Sequence, residues 1–138
     1  MQEPIGRKMN KIGKMYQAKL QKDLKHMDID RSFYPLLLIE EGKGLTQQEL
    51  ARKLLCDKVQ VVRIIDYLSS NGYVERVQSK TDKRKYELVI TEKARKVIPN
   101  IKEAIVRTTN ATFEGLTTNQ IDNLNTLLHK IEYNLLLK

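Results

Sequence analysis

The segment LTQQELARKLLCDKVQVVRIIDYLSSNG, residues 45–72, decides the fold of this 138-residue chain. It carries two helix start signals in close succession. Each is a capping box, in which the N-cap side chain and the side chain three residues later each accept a hydrogen bond from the other residue's backbone N–H. The two boxes pair Thr46 with Glu49 and Asp57 with Gln60. We therefore predict two helices separated by a turn of two or three residues, which is the layout of a helix-turn-helix.

The second helix of this pair has one apolar face and one mixed face. It is predicted to run from Asp57 to Ser70, because Asn71-Gly72 is a helix stop signal. At about 100° per residue, its apolar face packs against the first helix, predicted at 47–55. The apolar face holds Val61, Ile65 and Leu68, with Ile64 beside them. The opposite face carries Val59, Gln60, Arg63, Asp66 and Tyr67, with Val62 at its edge.

After Gly72 the pattern changes to a period of two, which is typical of strands. Two strands are predicted, 73–77 and 86–90, and the polar segment 78–85 joins them as a hairpin. Residues 76–85 hold five basic side chains and one acidic side chain, a local charge of +4. The hairpin therefore has a basic tip, and its place after a helix-turn-helix predicts a wing.

Helices are also predicted on both sides of this segment. The first two cover residues 4–27 and 30–41, and the last two begin at Thr91 and Thr117. The last helix has apolar residues spaced by three and four, which is the seam of a coiled coil. That seam consists of Ile121, Leu124, Leu128, Ile131 and Leu135. Since the first helix also carries a long apolar stripe, we expect both to pair with the same helices of a second subunit.

Charge and composition narrow the function. A net charge of +8 and a pI near 9.6 favour binding to phosphate-rich partners. The chain has no apolar run near 18 residues and no signal peptide pattern, so we expect a cytoplasmic protein with no membrane partner. We expect no enzyme, no cofactor and no metal site, because His26 and His129 have no further ligands at metal spacing. Cys56 precedes a helix start, which favours reactivity, but we favour a buried apolar role for it.

The second helix of the pair is the one that would enter a DNA groove, and we call it the recognition helix. Five of its residues are candidates for DNA contact. An exposed valine suits a major groove, where thymine offers a methyl group, Gln60 can bind adenine, and Arg63 can bind guanine or phosphate. Alternatively, Arg63 pairs with Asp66 three residues on. Lys58 is expected to meet phosphate. The candidates are Lys58, Val59, Gln60, Val62 and Arg63.

On the wing, Lys80, Lys83 and Arg84 are candidates for contacts to the DNA backbone and the minor groove, where arginine is favoured. Asp82 lies among them and is acidic where phosphate is expected. It is either an ordinary solvated turn residue or a partner of its basic neighbours.

The chain resembles the MarR family of transcriptional regulators. The resemblance is carried by 45–51, by Asp57-Lys58, Arg63, Ile65-Asp66, Leu68, Gly72 and Glu75-Arg76, and by Asp82-Lys83-Arg84 with Leu88, 90–92 and Ala94. It departs at Val59, Gln60 and Val62, where the family commonly has Ser or Thr. The resemblance implies that Asp82 braces Arg84 or the wing backbone. It also implies a homodimer that binds double-stranded DNA. Relatives often respond to a small-molecule effector, but the sequence neither identifies such an effector nor shows that one exists.

Together these patterns predict a mainly α fold with a small β-hairpin: a winged helix-turn-helix domain plus terminal dimerisation helices. We expect dimerisation by 1–29 and 93–138 and DNA binding by 30–92. The predicted function is a sequence-specific regulator, acting as a repressor on an inverted-repeat operator. The alternative is a winged-helix module that binds another protein.

Overall fold

The computed structural model describes residues 2–25, 27, 29 and 32–136. These residues form a mainly α-helical fold with one two-stranded antiparallel hairpin, which confirms the predicted fold class. In chain order the elements are α1 Ile5–Asp23, α2 Phe33–Gly42, α3 Gln47–Leu54, α4 Lys58–Ser70, β1 Val74–Gln78, β2 Tyr86–Ile90, α5 Glu92–Thr112 and α6 Thr118–Leu136.

Most helix bounds fall within a few residues of those predicted. α1 ends at Asp23, four residues before the predicted end. α2 begins at Phe33, so Pro35 lies in its first turn, where its missing N–H costs nothing. The predicted start of that helix, Asp30, lies outside the described residues.

The helix-turn-helix forms as its start signals predict. Both capping boxes are present, with Thr46 as N-cap of α3 and Asp57 as N-cap of α4. The turn between the helices begins with Leu55, whose φ of 52° is left-handed. Because Leu50 of α3 and Val61 of α4 are both buried, the two helices are fixed against one core.

The hairpin has a third partner that the sequence pattern did not predict. β1 and β2 pair in the register Val74↔Ile90 through Gln78↔Tyr86. In addition, the N–H of Leu88 donates to the carbonyl of Leu45 at 2.8 Å, and Thr46 forms an isolated bridge with Glu87. The residues that start α3 are therefore bonded directly to the wing strand β2.

The core lies where α1, α2, α5 and the hairpin meet the helix-turn-helix. α1 contributes Leu20, its C-cap residue is the buried Leu24, and α5 contributes Ile98 and Ile101. The apolar stripe predicted for the first helix is only partly used, because Leu20 and Leu24 are buried while the N-terminal part of the stripe is not. That exposed part consists of Ile5, Met9 and Ile12.

α6 projects from this core. None of its 19 residues is buried. Its seam residues Leu128, Ile131 and Leu135 are exposed by 43%, 39% and 67%. The single chain therefore leaves two apolar surfaces uncovered, one on α6 and one on the N-terminal half of α1. None of the helices in the described part of the chain is both long and apolar enough to cross a membrane.

Candidate nucleic-acid interface

α4 separates its buried and exposed faces nearly as predicted. Val61, Ile65 and Leu68 are almost fully buried, whereas Val59 is 61% exposed. Gln60, Arg63 and Asp66 are exposed as well, and Val62 is half-buried at the edge of the face. Tyr67 differs from the prediction, because its ring packs partly against the core. The result is a helix held by one face, with its other face available to a major groove.

Asp66, considered from the sequence as a partner of Arg63, pairs with Arg76 instead. Asp66 accepts a hydrogen bond from the Arg76 guanidinium of β1 at 2.9 Å. Within the described residues, Arg63 has no ion-pair or hydrogen-bond partner. Asp66 therefore does not compete with a ligand for the charge of Arg63. A pattern confined to one helix could not find this pair, because it joins residues on separate elements.

Gln60 is exposed and also takes part in the capping box that starts α4. Its backbone N–H donates to Asp57 at 2.8 Å, and its side-chain Oε1 accepts from the Asp57 N–H at 3.4 Å. The amide NH₂ of Gln60 remains available for a further bond. Lys58 is the first residue of α4 and is exposed. Both candidates therefore lie at the helix start, where the positive end of the helix dipole favours anions.

Asp82 braces Arg84, as the family resemblance implies. Its Oδ1 accepts from the Arg84 backbone N–H at 3.1 Å and from the Arg84 Nε at 3.3 Å. The Arg84 backbone bond, then its side chain, and then the charge of Lys85 hold the pKa of Asp82 below its ordinary value. Asp82 is therefore ionised at neutral pH. The Arg84 side chain stays 90% exposed at the tip, with Lys80 and Lys83 exposed beside it.

The wing loop is fixed by bonds that the sequence analysis missed. The Gln78 amide donates to the Lys83 carbonyl at 2.8 Å. Ser79 is only 7% exposed, and its hydroxyl accepts from the N–H groups of Thr81 and Asp82. Serine directly before a polar turn is the signal that could have predicted this ST-type turn. The basic tip is thus held on an ordered loop, which lowers the entropy cost of ligand binding.

A solvent-open cleft separates the start of α3 from the wing strands. Its volume is about 300 Å³, and it is lined by Thr46, Gln47, Gln48, Arg76, Lys85 and Tyr86. Glu49 lies on the same side, and its hydrogen bonds from Thr46, followed by the charges of Arg52 and Lys85, hold its pKa below 4.5. The cleft continues the basic surface between helix and wing.

Cys56 is only partly buried, whereas a buried apolar role was expected. It packs against the core. Within residues 2–25, 27, 29 and 32–136, no three His, Cys, Asp or Glu side chains are grouped so that they could hold a metal ion.

The chain is similar to known helix-turn-helix transcriptional regulators. Residues 30–85 match the model of the MarR family. An uncharacterised HTH-type transcriptional regulator of Bacillus subtilis, YybA, is 27% identical over 114 residues, which cover 82% of this chain and 76% of that protein.

Solved structures agree over nearly the full length. A MarR protein of Peptoclostridium difficile has a TM-score of 0.90 at 27% identity, covering 98% of this chain and 89% of that one. A MarR mutant from E. coli in complex with operator DNA has a TM-score of 0.86 at 25% identity, covering 93% of each chain.

Proposed function

We propose that this chain is a MarR-family regulator that binds double-stranded DNA at specific sequences as a homodimer and acts as a repressor, since residues 30–85 match the family model and a MarR protein with a TM-score of 0.90 is 27% identical. The observation that carries the proposal is that an exposed face of α4 and a basic wing tip lie on elements joined by the Asp66–Arg76 ion pair. The similar E. coli protein in complex with operator DNA supports the same use of this fold.

The recognition face and the wing divide the DNA contacts between them. α4 enters the major groove with Lys58, Val59, Gln60, Val62 and Arg63. The wing places Lys80, Lys83 and Arg84 over the adjacent backbone and minor groove. Asp82 contributes indirectly, because it orients Arg84 through two hydrogen bonds.

The uncovered apolar surfaces supply the dimer contact. We assign dimerisation to 1–29 and 93–138 and DNA binding to 30–92, because the exposed seam of α6 and the exposed part of α1 lie outside the winged domain. A two-fold axis places the recognition helices in successive major grooves about 34 Å apart, so the operator is an inverted repeat. A small-molecule effector would act by binding one spacing of the two helices more tightly than another.

Selection from random duplex DNA by the purified protein, at about 150 mM salt, tests this proposal, since that salt screens non-specific attraction. We expect enrichment of an inverted repeat whose half-sites lie one helical turn apart. Weak, salt-sensitive binding without enrichment would contradict the proposal and favour a winged module whose partner is another protein.

A further inference from the structure

Two valines on α4 lie outside the hydrophobic core. Val59 is 61% exposed and Val62 is partly exposed. Within the described residues, neither belongs to the core or to the apolar side chains packed against it. Valine also forms helices less readily than alanine, so these residues cost the helix some stability. A contact outside the single chain would therefore explain these two exposed valines.

The two valines form one short apolar strip. They lie three residues apart, so their Cβ atoms are about 5–6 Å from each other on the same side of the helix. Lys58 and Arg63, both cationic, flank the strip. An apolar strip between cations does not suit an apolar protein surface, because the charges would have to be desolvated. It suits a polyanion that offers an apolar group inside a groove.

We propose that Val59 and Val62 recognise the C5-methyl groups of pyrimidines in the major groove, so that each half-site carries thymines opposite the start of α4. This inference rests on the proposed DNA-binding function. The thymine methyl is the apolar group that unmodified DNA presents in the major groove. Stacked bases are about 3.4 Å apart along one strand. The two valines therefore reach methyl groups one or two base steps apart.

Thymine and 5-methylcytosine share this methyl group, and substituted duplexes separate the two sources. The selected duplex is remade with each half-site thymine replaced in turn by deoxyuridine, which lacks only the methyl group. At the thymines that matter, we expect binding to weaken roughly three- to five-fold per methyl group removed, the size of one buried methylene. A third duplex places 5-methylcytosine opposite guanine at the same position. Affinity above that of the unmethylated cytosine duplex shows that the methyl group is recognised on either base.

The variants Val59→Ala and Val62→Ala identify the contacting side chains. Alanine favours the helix, so both variants are expected to fold. Each should reduce the thymine-to-deoxyuridine affinity ratio towards one at its own position. Val106→Ala is the matched control, because Val106 is 57% exposed but lies on α5. The Val106→Ala variant should leave the thymine-to-deoxyuridine affinity ratio unchanged, whatever it does to overall affinity.

Two results would overturn the inference, and they differ. If a half-site is enriched but deoxyuridine binds as well as thymine at every position, the valine contact is wrong and DNA binding stands. If no duplex is enriched at all, both the contact and the proposed function fail.

Discussion

Asp66 on α4 and Arg76 on β1 are joined by a 2.9 Å hydrogen-bonded ion pair between the recognition helix and the wing. Nearby, the N–H of Tyr73 donates to the Leu68 carbonyl at 2.9 Å, so the loop from α4 into the hairpin is also fixed. These bonds join both the wing and the loop that leads into it to α4. The two elements proposed to contact DNA are therefore bonded to each other within the single chain.

The Asp66–Arg76 pair should make a small, measurable contribution to stability. The Asp66 and Arg76 side chains are exposed by 60% and 35%, so solvent screens the attraction and the coupling energy should be about 0.2–1 kcal/mol. A double-mutant cycle with Asp66→Asn and Arg76→Gln, followed by urea unfolding, measures it. The same cycle on the exposed pair Glu92–Arg95 is the control. Strictly additive effects at Asp66 and Arg76 would show that the pair does not couple helix and wing.

Arg84→Ala should weaken DNA binding mainly through lost phosphate contact. We expect the slope of log affinity against log salt to become shallower by about one for each subunit. The variant keeps the backbone N–H bond to Asp82 but removes the guanidinium beside that carboxylate, which adds repulsion from the DNA backbone. Arg107→Ala removes the same charge from α5 and should leave the slope nearly unchanged. If the slope of log affinity against log salt is unaltered in Arg84→Ala, the wing tip does not contact the DNA phosphates.

Local signals predicted the parts of the fold that depend on neighbours in sequence. The capping boxes at Thr46 and Asp57 fixed the helix starts, because a cap needs only a side chain and the N–H three residues on. The pairing of Leu45 with Leu88 escaped prediction, because a single backbone hydrogen bond over that separation leaves no periodic pattern. The stripe of α1 predicted an apolar face correctly but not which part the single chain buries.

The candidate site divides in the same way. Helical geometry alone predicted the exposure of Val59 and Arg63, since α4 is regular and one face is clearly apolar. The Arg63–Asp66 pair, considered as the alternative to a DNA contact, does not form, and the actual partner Arg76 was not foreseen because it comes close only after β1 folds back beside α4. The bonds of Ser79 were missed because they depend on the local path of the wing turn.

Stability should show an acid-dependent contribution from Glu49. Its pKa is held below 4.5 in the folded chain, first by hydrogen bonds from Thr46 and then by the charges of Arg52 and Lys85. This contribution is therefore fully present above pH 4.5 and is lost as the pH falls through the lower folded value. It should be less than about 1 kcal/mol, because the group is exposed.

Urea unfolding of the wild-type chain and Glu49→Gln between pH 7 and pH 3 measures this contribution. Glutamine keeps a cap acceptor but cannot titrate, so the difference between the two proteins should shrink below pH 4.5. Glu103→Gln, an exposed change on α5, controls for the general effect of losing one acid. A constant difference over the whole range would mean that the Thr46 bonds do not depend on the charge of Glu49.

Leu128→Lys should separate folding from self-association. No residue of α6 is buried within one chain, so a lysine at this position leaves the core untouched. In a dimer built on the α6 seam, the same lysine would bury an unpaired charge, which is strongly unfavourable. We therefore expect an unchanged helical circular dichroism spectrum, a dissociation constant raised at least tenfold in sedimentation equilibrium, and weaker binding to a full inverted repeat.

Thr126→Lys adds the same charge about 160° away on α6, at 100° per residue, and should leave the dimer intact. The comparison matters because a basic substitution could disturb any positively charged protein by simple repulsion. Two equally weakened variants would point to such repulsion rather than to the seam. A wild-type chain that sediments as a monomer at tens of micromolar would remove the dimer itself, and with it the reason for an inverted repeat. A Leu128→Lys protein that dimerises normally would instead move the interface to the exposed residues of α1.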